Sequence, residues 1–338
     1  MSGYGSVKMK DIARLSGVSL STVSRVLYNK DDVSSESRYK VNAVMEEMGY
    51  RPNLIVKALR TGKSQTIGVI ASCDLNIDGE MIRGIHDQLQ SREYVPVLQL
   101  IEQGSQPEVK LLNRLLDRRV DGVIMKIFNE VGLEKYIEEL KSRKIPVVAF
   151  DVITDKAGVD FVGNDDALAG RLAAECLLKF GHRKLGVLAF SKKFLPSKMR
   201  LEAFGSFVTQ NSDATVYSSE DPSFGSDDTF AMKLLGFQPR PTAIFVNDDR
   251  LAIGVYSAAE KLGLKIPEDL SVIGFGDLSI CGLLRPNLTT IRQNLYEIGR
   301  KSAELILDRL DDNVLSVHKQ FLVNVDLIER KSVAAAGQ

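Results

Sequence analysis

A chain of 338 residues, 44% apolar and 26% charged, has the composition of a soluble globular protein and is too long for one ordinary core. No apolar run approaches about 18 residues, so a membrane-spanning helix is excluded and no membrane partner is expected. The zero net charge divides unevenly, with 11 Lys/Arg against 6 Asp/Glu in residues 1–65 and 33 against 38 in residues 66–338, a basic end suited to a polyanion on an acidic body.

Met9–Ser16 and Leu20–Tyr28 read as two short helices folded against each other. Ala13 is small where helices approach, and Gly17 falls where the chain turns. Val23 and Val26 return apolar side chains to Ile12 and Leu15. With short hydroxyls and Arg25 at the remaining positions, these offsets describe a DNA-binding helix-turn-helix. After a polar stretch, Asn29–Ser34, a third helix is predicted over Ser35–Met48. Val41, Val44, Met45 and Met48 recur there at helical spacing, and Gly49 stops it. Three short helices bury little, so this unit should be marginally stable alone. Arg51-Pro52 breaks the pattern, and Asn53 can cap a short amphipathic segment, Leu54–Arg60.

From Thr66 the texture changes to alternating strands and helices. Apolar runs at Ile67–Ala71, Val95–Ile101, Gly122–Ile127, Pro146–Asp151, Leu185–Phe190, Ala243–Asn247 and Leu270–Gly276 predict strands. Helical segments lie between most of them: Gly79–Ser91, Gln106–Arg118, Asp166–Phe180, Pro196–Gln210 and Arg250–Leu262, with Asn294–Leu310 after the last. Continuous Val/Ile-rich strands separated by helices indicate an α/β body of parallel sheets covered on both faces. Seven runs crowd a single sheet, so two Rossmann-like lobes with a cleft between them are expected.

The rest of the chain narrows the chemistry. Cys73, Cys176 and Cys281 are odd in number and widely spaced, which argues against a disulfide framework or a zinc site. The start, Met1–Val7, lacks a signal peptide's hydrophobic stretch, so a cytoplasmic location is expected. His86, His182 and His318 are scattered. No Gly-x-Gly-x-x-Gly follows the first strand, and there is no P-loop or nucleophile elbow. Neither an enzyme, a cofactor nor a metal is expected.

Several motifs occur in a telling order: Lys10-Asp-Ile-Ala13, Gly17-Val-Ser19, Thr22-Val-Ser-Arg-Val-Leu27, Glu47-Met-Gly-Tyr-Arg-Pro-Asn53, Leu59-Arg-Thr-Gly62, Gly181-His-Arg-Lys184, Ile266-Pro-Glu-Asp-Leu-Ser271 and Leu288-Thr-Thr-Ile-Arg-Gln293. In that order they resemble the lactose/galactose repressor family of bacterial transcription regulators, over nearly the whole chain. The resemblance implies a helix-turn-helix head over 1–52 and a hinge helix with linker over 53–65. A periplasmic-binding-protein-like body over 66–338 would follow. Its chain would cross between lobes near Asn164, Asn294 and Val323, giving an N-lobe of 66–163 plus 295–322 and a C-lobe of 164–294 plus 323–338.

For the head, the resemblance implies a recognition helix whose N-terminal end enters the major groove, with Leu20 and Ser21 as the specificity pair. Arg25 can donate two hydrogen bonds to a guanine edge. Ser19, Thr22, Ser24 and Ser34 suit phosphates, and Tyr50 and Asn53 join the DNA-contacting set. In the hinge, Leu59 would wedge between central base pairs while Lys57 and Arg60 contact phosphates. Tyr28 stands where the family commonly has asparagine.

For the body, ligands of doubly wound lobes sit beyond the carboxyl ends of strands. Asp74, Asn76, Asp151, Asp248, Asp249 and Asp277 occupy such places, and Arg200 aligns with the family arginine that bonds ligand hydroxyls or a carboxylate. Carboxylates and an arginine together suit a polyol. Gly276 stands where the family often has the first of two aspartates, so either the ligand is not a simple hexose or Asp277 takes that contact. The chain has no tryptophan to stack on a sugar face; Phe128, Phe161, Phe194 and Phe224 are the substitutes. The implied effector is a carbohydrate or sugar acid, with a nucleobase or other metabolite as the alternative.

The function expected is a repressor binding double-stranded operator DNA, as a homodimer on an inverted repeat, under control of that effector. The tail after Arg330 carries no leucine heptads, which predicts a dimer rather than a tail-assembled tetramer. A solute-binding protein is the other class, disfavoured by the head and the missing signal peptide.

Overall fold

The computed structural model describes residues 7–28, 30–51, 58, 62–101, 108–127, 133–151, 159–190, 194–221, 227–312 and 318–337. It divides into two units, Met1–Ser64 and Gln65–Gln338.

The first unit contains α1 (Met9–Ser16), α2 (Leu20–Leu27) and α3 (Ser35–Glu47). Gly17 ends α1 with φ 65°, a left-handed conformation that costs glycine nothing. Ser19 caps α2 by accepting from Thr22 N at 3.0 Å, and Ser34 caps α3 by accepting from Ser37 N at 3.3 Å. Ile12, Val23, Val26 and Val41 form the buried core, with Val44, Met45 and Tyr50 packed partly against it. Leu15, expected there, is 47% exposed. The reason is rotational: Ile12 and Ser16, four residues apart, share the buried face, where Ser16 Oγ donates to Ile12 O at 2.6 Å. Leu15 falls beside that face.

The second unit holds two six-stranded sheets. The first comprises β1 (Thr66–Ser72), β2 (Val95–Ile101), β3 (Gly122–Lys126), β4 (Val147–Phe150), β5 (Asp160–Asn164) and β11 (Gln320–Val323), in the order β11-β5-β4-β3-β1-β2. The second comprises β6 (Lys184–Ala189), β7 (Thr215–Glu220), β8 (Ala243–Val246), β9 (Ser271–Gly276), β10 (Thr289–Arg292) and β12 (Asp326–Ile328), in the order β12-β10-β9-β8-β6-β7. All pairings are parallel except β10 with β12. The central strands β3, β4, β5, β8 and β9 are buried throughout, as sheets covered on both faces require.

The helices of this unit are α4 (Leu75–Gln90), α5 (Glu108–Asp117), α6 (Leu133–Ser142), α7 (Asp166–Lys179), α8 (Leu195–Asn211), α9 (Thr229–Leu235), α10 (Leu251–Lys261) and α11 (Leu295–Asp312), with a short 3-10 turn at Ser279–Gly282. Two apolar clusters flank each sheet. The chain leaves the first sheet after Asn164, returns after Arg292 through α11, and leaves again after Val323. Helix α4 starts four residues before the predicted Gly79. The sequence reading named neither β5, β7, β10, β11 and β12 nor α6 and α9.

One close helix contact positions a side chain of interest. A Cβ added at Gly170 in α7 would collide with the backbone of Arg200 in α8. Glycine there lets α8 lie against α7, so that Arg200 reaches Asp166, one turn before Gly170.

Candidate functional site

In the head, the first turn of α2 faces solvent. Leu20 is 43% exposed, and Ser19, Ser21 and Arg25 are exposed beside it. Arg25 makes one exposed ion pair, Nη1 to Asp32 Oδ2 at 3.3 Å, weak enough to be exchanged for a nucleic-acid partner. Ser19 and Ser34 sit at helix N-termini, where backbone amides favour phosphate. Thr22 is half-buried with Oγ1 2.8 Å from Ser19 Oγ; Ser24 and Tyr50 are half-buried too. Asn53, Lys57, Leu59 and Arg60 lie outside the described residues, as do Phe128, Phe224 and the side chain of Asn76.

In the body, a cavity of about 120 Å³ opens between the carboxyl ends of the two sheets' strands, a size for a small molecule and not a polymer. Lys126 at the end of β3 and Asp151 just after β4 line it from the first sheet, with Ser72 at the end of β1 and Asp74 after it. From the second come Asn247 and Asp248 after β8, Phe190 after β6, Phe275 and Gly276 at the end of β9, and Gln293 after β10. Helix α8 adds Pro196, Ser197 and Arg200, and Phe194 precedes it.

The polar groups are organised as pairs. Lys126 Nζ lies 2.6 Å from Asp151 Oδ2 and 3.3 Å from Asp78 Oδ1. Burial alone would push the lysine down, but the two carboxylates hold it above its ordinary value. Asp78 is itself buried and raised, despite Lys126, while its other oxygen accepts from Ser72 N at 2.7 Å. Asp151 has φ 67°, a left-handed conformation that costs a non-glycine residue energy and aims its carboxylate at Lys126.

Arg200, only 7% exposed, donates Nη1 to Asp166 and stacks on Phe275 with its guanidinium carbon 3.9 Å from the ring centre. Its Nε is buried without a hydrogen-bond partner among the described residues. Burial lifts Asp166 to about 6, against the pull of Arg200. Arg250 grips Asp248 through Nε at 2.8 Å and Nη2 at 2.6 Å, and reaches across the cleft to Asp74 Oδ2 at 3.5 Å. Asn247 fixes the wall by accepting from Phe190 N at 3.0 Å and donating to Ser197 Oγ. At the crossings, Asn164 Nδ2 donates to Gln293 Oε1 at 2.8 Å.

Asp74, Asp151, Arg200 and Asp248 are thus brought together around one cavity, and Phe194 joins them. Asp249 and Asp277 are not. Asp249 is fully buried, accepting from Thr290 Oγ1 at 2.6 Å and Leu278 N at 2.9 Å, and burial raises it to about 6. Its carboxylate fills the space beside Gly276: a Cβ there would meet Asp249 Oδ2 at 3.1 Å. Asp277 turns to Arg292 Nε at 2.7 Å and Arg330 Nη2 at 2.5 Å, away from the cavity. Burial works against its charge, but the two arginines hold it below its ordinary value. The contact missing at Gly276 has therefore not passed to Asp277. Phe161 is in the core of the first sheet.

The sequence reading missed Lys126, Asp78, Asp166 and Arg250. A signal existed for one of them, since Lys126 is the single charge in an otherwise apolar strand run. Asp166 and Asp78 gave no such sign, because helix-start aspartates are ordinary on exposed first turns.

Comparison with known proteins bears on both units. Residues 8–53 match the model for bacterial regulatory proteins of the lacI family, and residues 174–333 match that for a periplasmic binding protein-like domain. Catabolite control protein A of Priestia megaterium is 33% identical over 309 residues, covering 89% of this chain and 91% of the relative. The ribose operon repressor of Escherichia coli (strain K12) is 30% identical over 329 residues, covering 96% and 99%. The crystal structure of the lac repressor dimer bound to operator and the anti-inducer ONPF superposes with a TM-score of 0.82. It is 27% identical, with 97% of this chain and 99% of that one covered.

Proposed function

This chain belongs to the lacI family of bacterial regulatory proteins, and from that premise we propose that a small ligand in the inter-lobe cavity sets its hold on operator DNA. It is a DNA-binding transcriptional repressor that works as a dimer on an inverted repeat. The observation that carries the reading is one chain holding both an exposed recognition helix, capped by Ser19, and a small polar cavity walled by both lobes.

Leu20, Ser21 and Arg25 choose the operator sequence; Ser19, Thr22, Ser24 and Ser34, with Tyr50 and Asn53, fix the register. Leu59 wedges the duplex, and Lys57 and Arg60 hold phosphates beside it. Asp74, Asp151, Arg200 and Asp248 bind the effector, a sugar or sugar acid, as carboxylates and an arginine suit vicinal hydroxyls. The name of the ribose operon repressor among the relatives supports that class. A ligand touching both lobes changes their closure, and closure biases the hinge helices toward folded or frayed, a coupling of about 1–3 kcal/mol. No helix among the described residues is long and apolar enough to cross a membrane; we place the protein in the cytoplasm, beside its operator, and read the cavity as a binding site and not a catalytic one.

The test is a titration of inverted-repeat DNA with the full-length protein. Leu59→Ala should weaken operator binding about tenfold or more while leaving effector binding intact. Unchanged operator affinity would remove the wedge from the account.

A further inference from the structure

We infer that the cavity selects an uncharged ligand and rejects its acid or phosphate counterpart, a narrowing that rests on the polyol reading above. Among the described residues, three cations reach the cavity wall, and every one is matched by carboxylate. Lys126 lies between Asp78 and Asp151, Arg200 on Asp166, and Arg250 between Asp248 and Asp74. Five carboxylates therefore face three cations. With all of them ionised the cavity carries an excess of two negative charges. No positive charge among the described residues is left over for an anion.

A site built for an acid needs the reverse, a guanidinium or ammonium whose partner is supplied by the ligand. Arg200 is the residue that could have played that part. Asp166 cancels its charge before any ligand arrives, and the Phe275 ring covers its face. What Arg200 still offers is the unpartnered N–H at Nε, a donor for a hydroxyl or ring oxygen. Asp151 and Asp248 accept from hydroxyls, with Lys126 holding Asp151 in place. Gly276 leaves its part of the wall bare, where the ligand meets backbone and the Gln293 amide. A carboxylate or phosphate entering this set would meet like charge, at a cost of about 100-fold in affinity or more.

Matched pairs titrated into the full-length protein by calorimetry test this: D-galactose with D-galacturonate, D-glucose with D-gluconate, D-ribose with ribose 5-phosphate, and cytidine with its monophosphate. The expected result is binding of a neutral member with its anionic partner at least 100-fold weaker. An anion binding as well as its neutral partner overturns the inference while leaving the sugar-effector reading in place. Cytidine binding alone overturns the sugar reading and leaves the charge inference standing. A second arm needs no member of the panel to be the natural effector. Asp166→Asn keeps an acceptor for Arg200 but releases its positive charge, so the variant should gain affinity for gluconate and inorganic phosphate that the wild type lacks. Asp166→Ser releases the same charge with a smaller neutral side chain, and serves where the first variant melts too early. Variants that fold but gain no anion binding overturn the inference.

Discussion

Among the described residues, the helical head has four buried apolar side chains, Ile12, Val23, Val26 and Val41, with partly buried ones packed on them, whereas the body rests on two full clusters for each of its two sheets. The head has a small core, and Leu20, Ser21 and Arg25, proposed above to choose the operator sequence, lie exposed on one helix. The body has a large core, and the residues proposed to hold the effector are charge-paired around its cavity. The lesson is that recognition by the head is sensitive to any loss of packing. Recognition by the body is sensitive to which charges are paired.

Ile12→Ala should break this contrast most severely. Removing a buried isoleucine costs about 2–5 kcal/mol, comparable to what so small a unit has. Operator binding should vanish while the body's melting transition and ligand affinity stay unchanged. A head that still binds operator would show its core to be larger than four residues. Next in size is Gly170→Ala, whose methyl would strike the Arg200 backbone. Overpacking of this kind costs about 1–3 kcal/mol, and calorimetry should show at least a tenfold loss of effector affinity with operator binding retained. Asp151→Asn should weaken the effector by about tenfold, as loss of a charged hydrogen bond does. Asp277→Asn should leave effector affinity within experimental error, because that carboxylate is committed to Arg292 and Arg330. Equal losses from the two variants would mean that Asp277 reaches the ligand.

The smallest effect concerns pH. Burial raises Asp249 from its ordinary 3.8 to about 6. A carboxyl raised in the folded state favours folding while it is protonated. That advantage is lost as pH climbs from the unfolded value to the folded one. Asp249→Asn cannot ionise, so its stability relative to wild type should increase between pH 4 and pH 7, by ~1–3 kcal/mol. Denaturant titrations at the two pH values read the difference. A flat difference would mean that Asp249 is not desolvated.

What was legible in the sequence follows the same contrast. Helix α1 and the start of α2 could be read to the residue, because Gly17 and Ser19 mark a turn with local chemistry alone. In the body the apolar central strands stood out, but β5 carries Asp160, Gly163 and Asn164, and β7 is a polar edge strand, Thr-Val-Tyr-Ser-Ser-Glu. Neither has the apolar run that marks a buried strand; their pairing is set by the strands beside them. The site shows the same limit. Asp74, Asp151 and Asp248 could be found because they follow strand ends. The role of Asp166 could not, since it depends on α8 lying against α7 at Gly170. Leu15 misled because spacing alone allows it on the buried face, and only packing shows that Ser16 takes that place.

The central claim is that the cavity governs the head. Operator affinity of the full-length protein, followed by fluorescence anisotropy with and without a saturating neutral ligand from the matched pairs, tests it most directly. For the wild type a change of about fivefold or more, in either direction, is expected, and none for Arg200→Ala. An operator affinity that stays constant while calorimetry shows the wild-type cavity filled would contradict it.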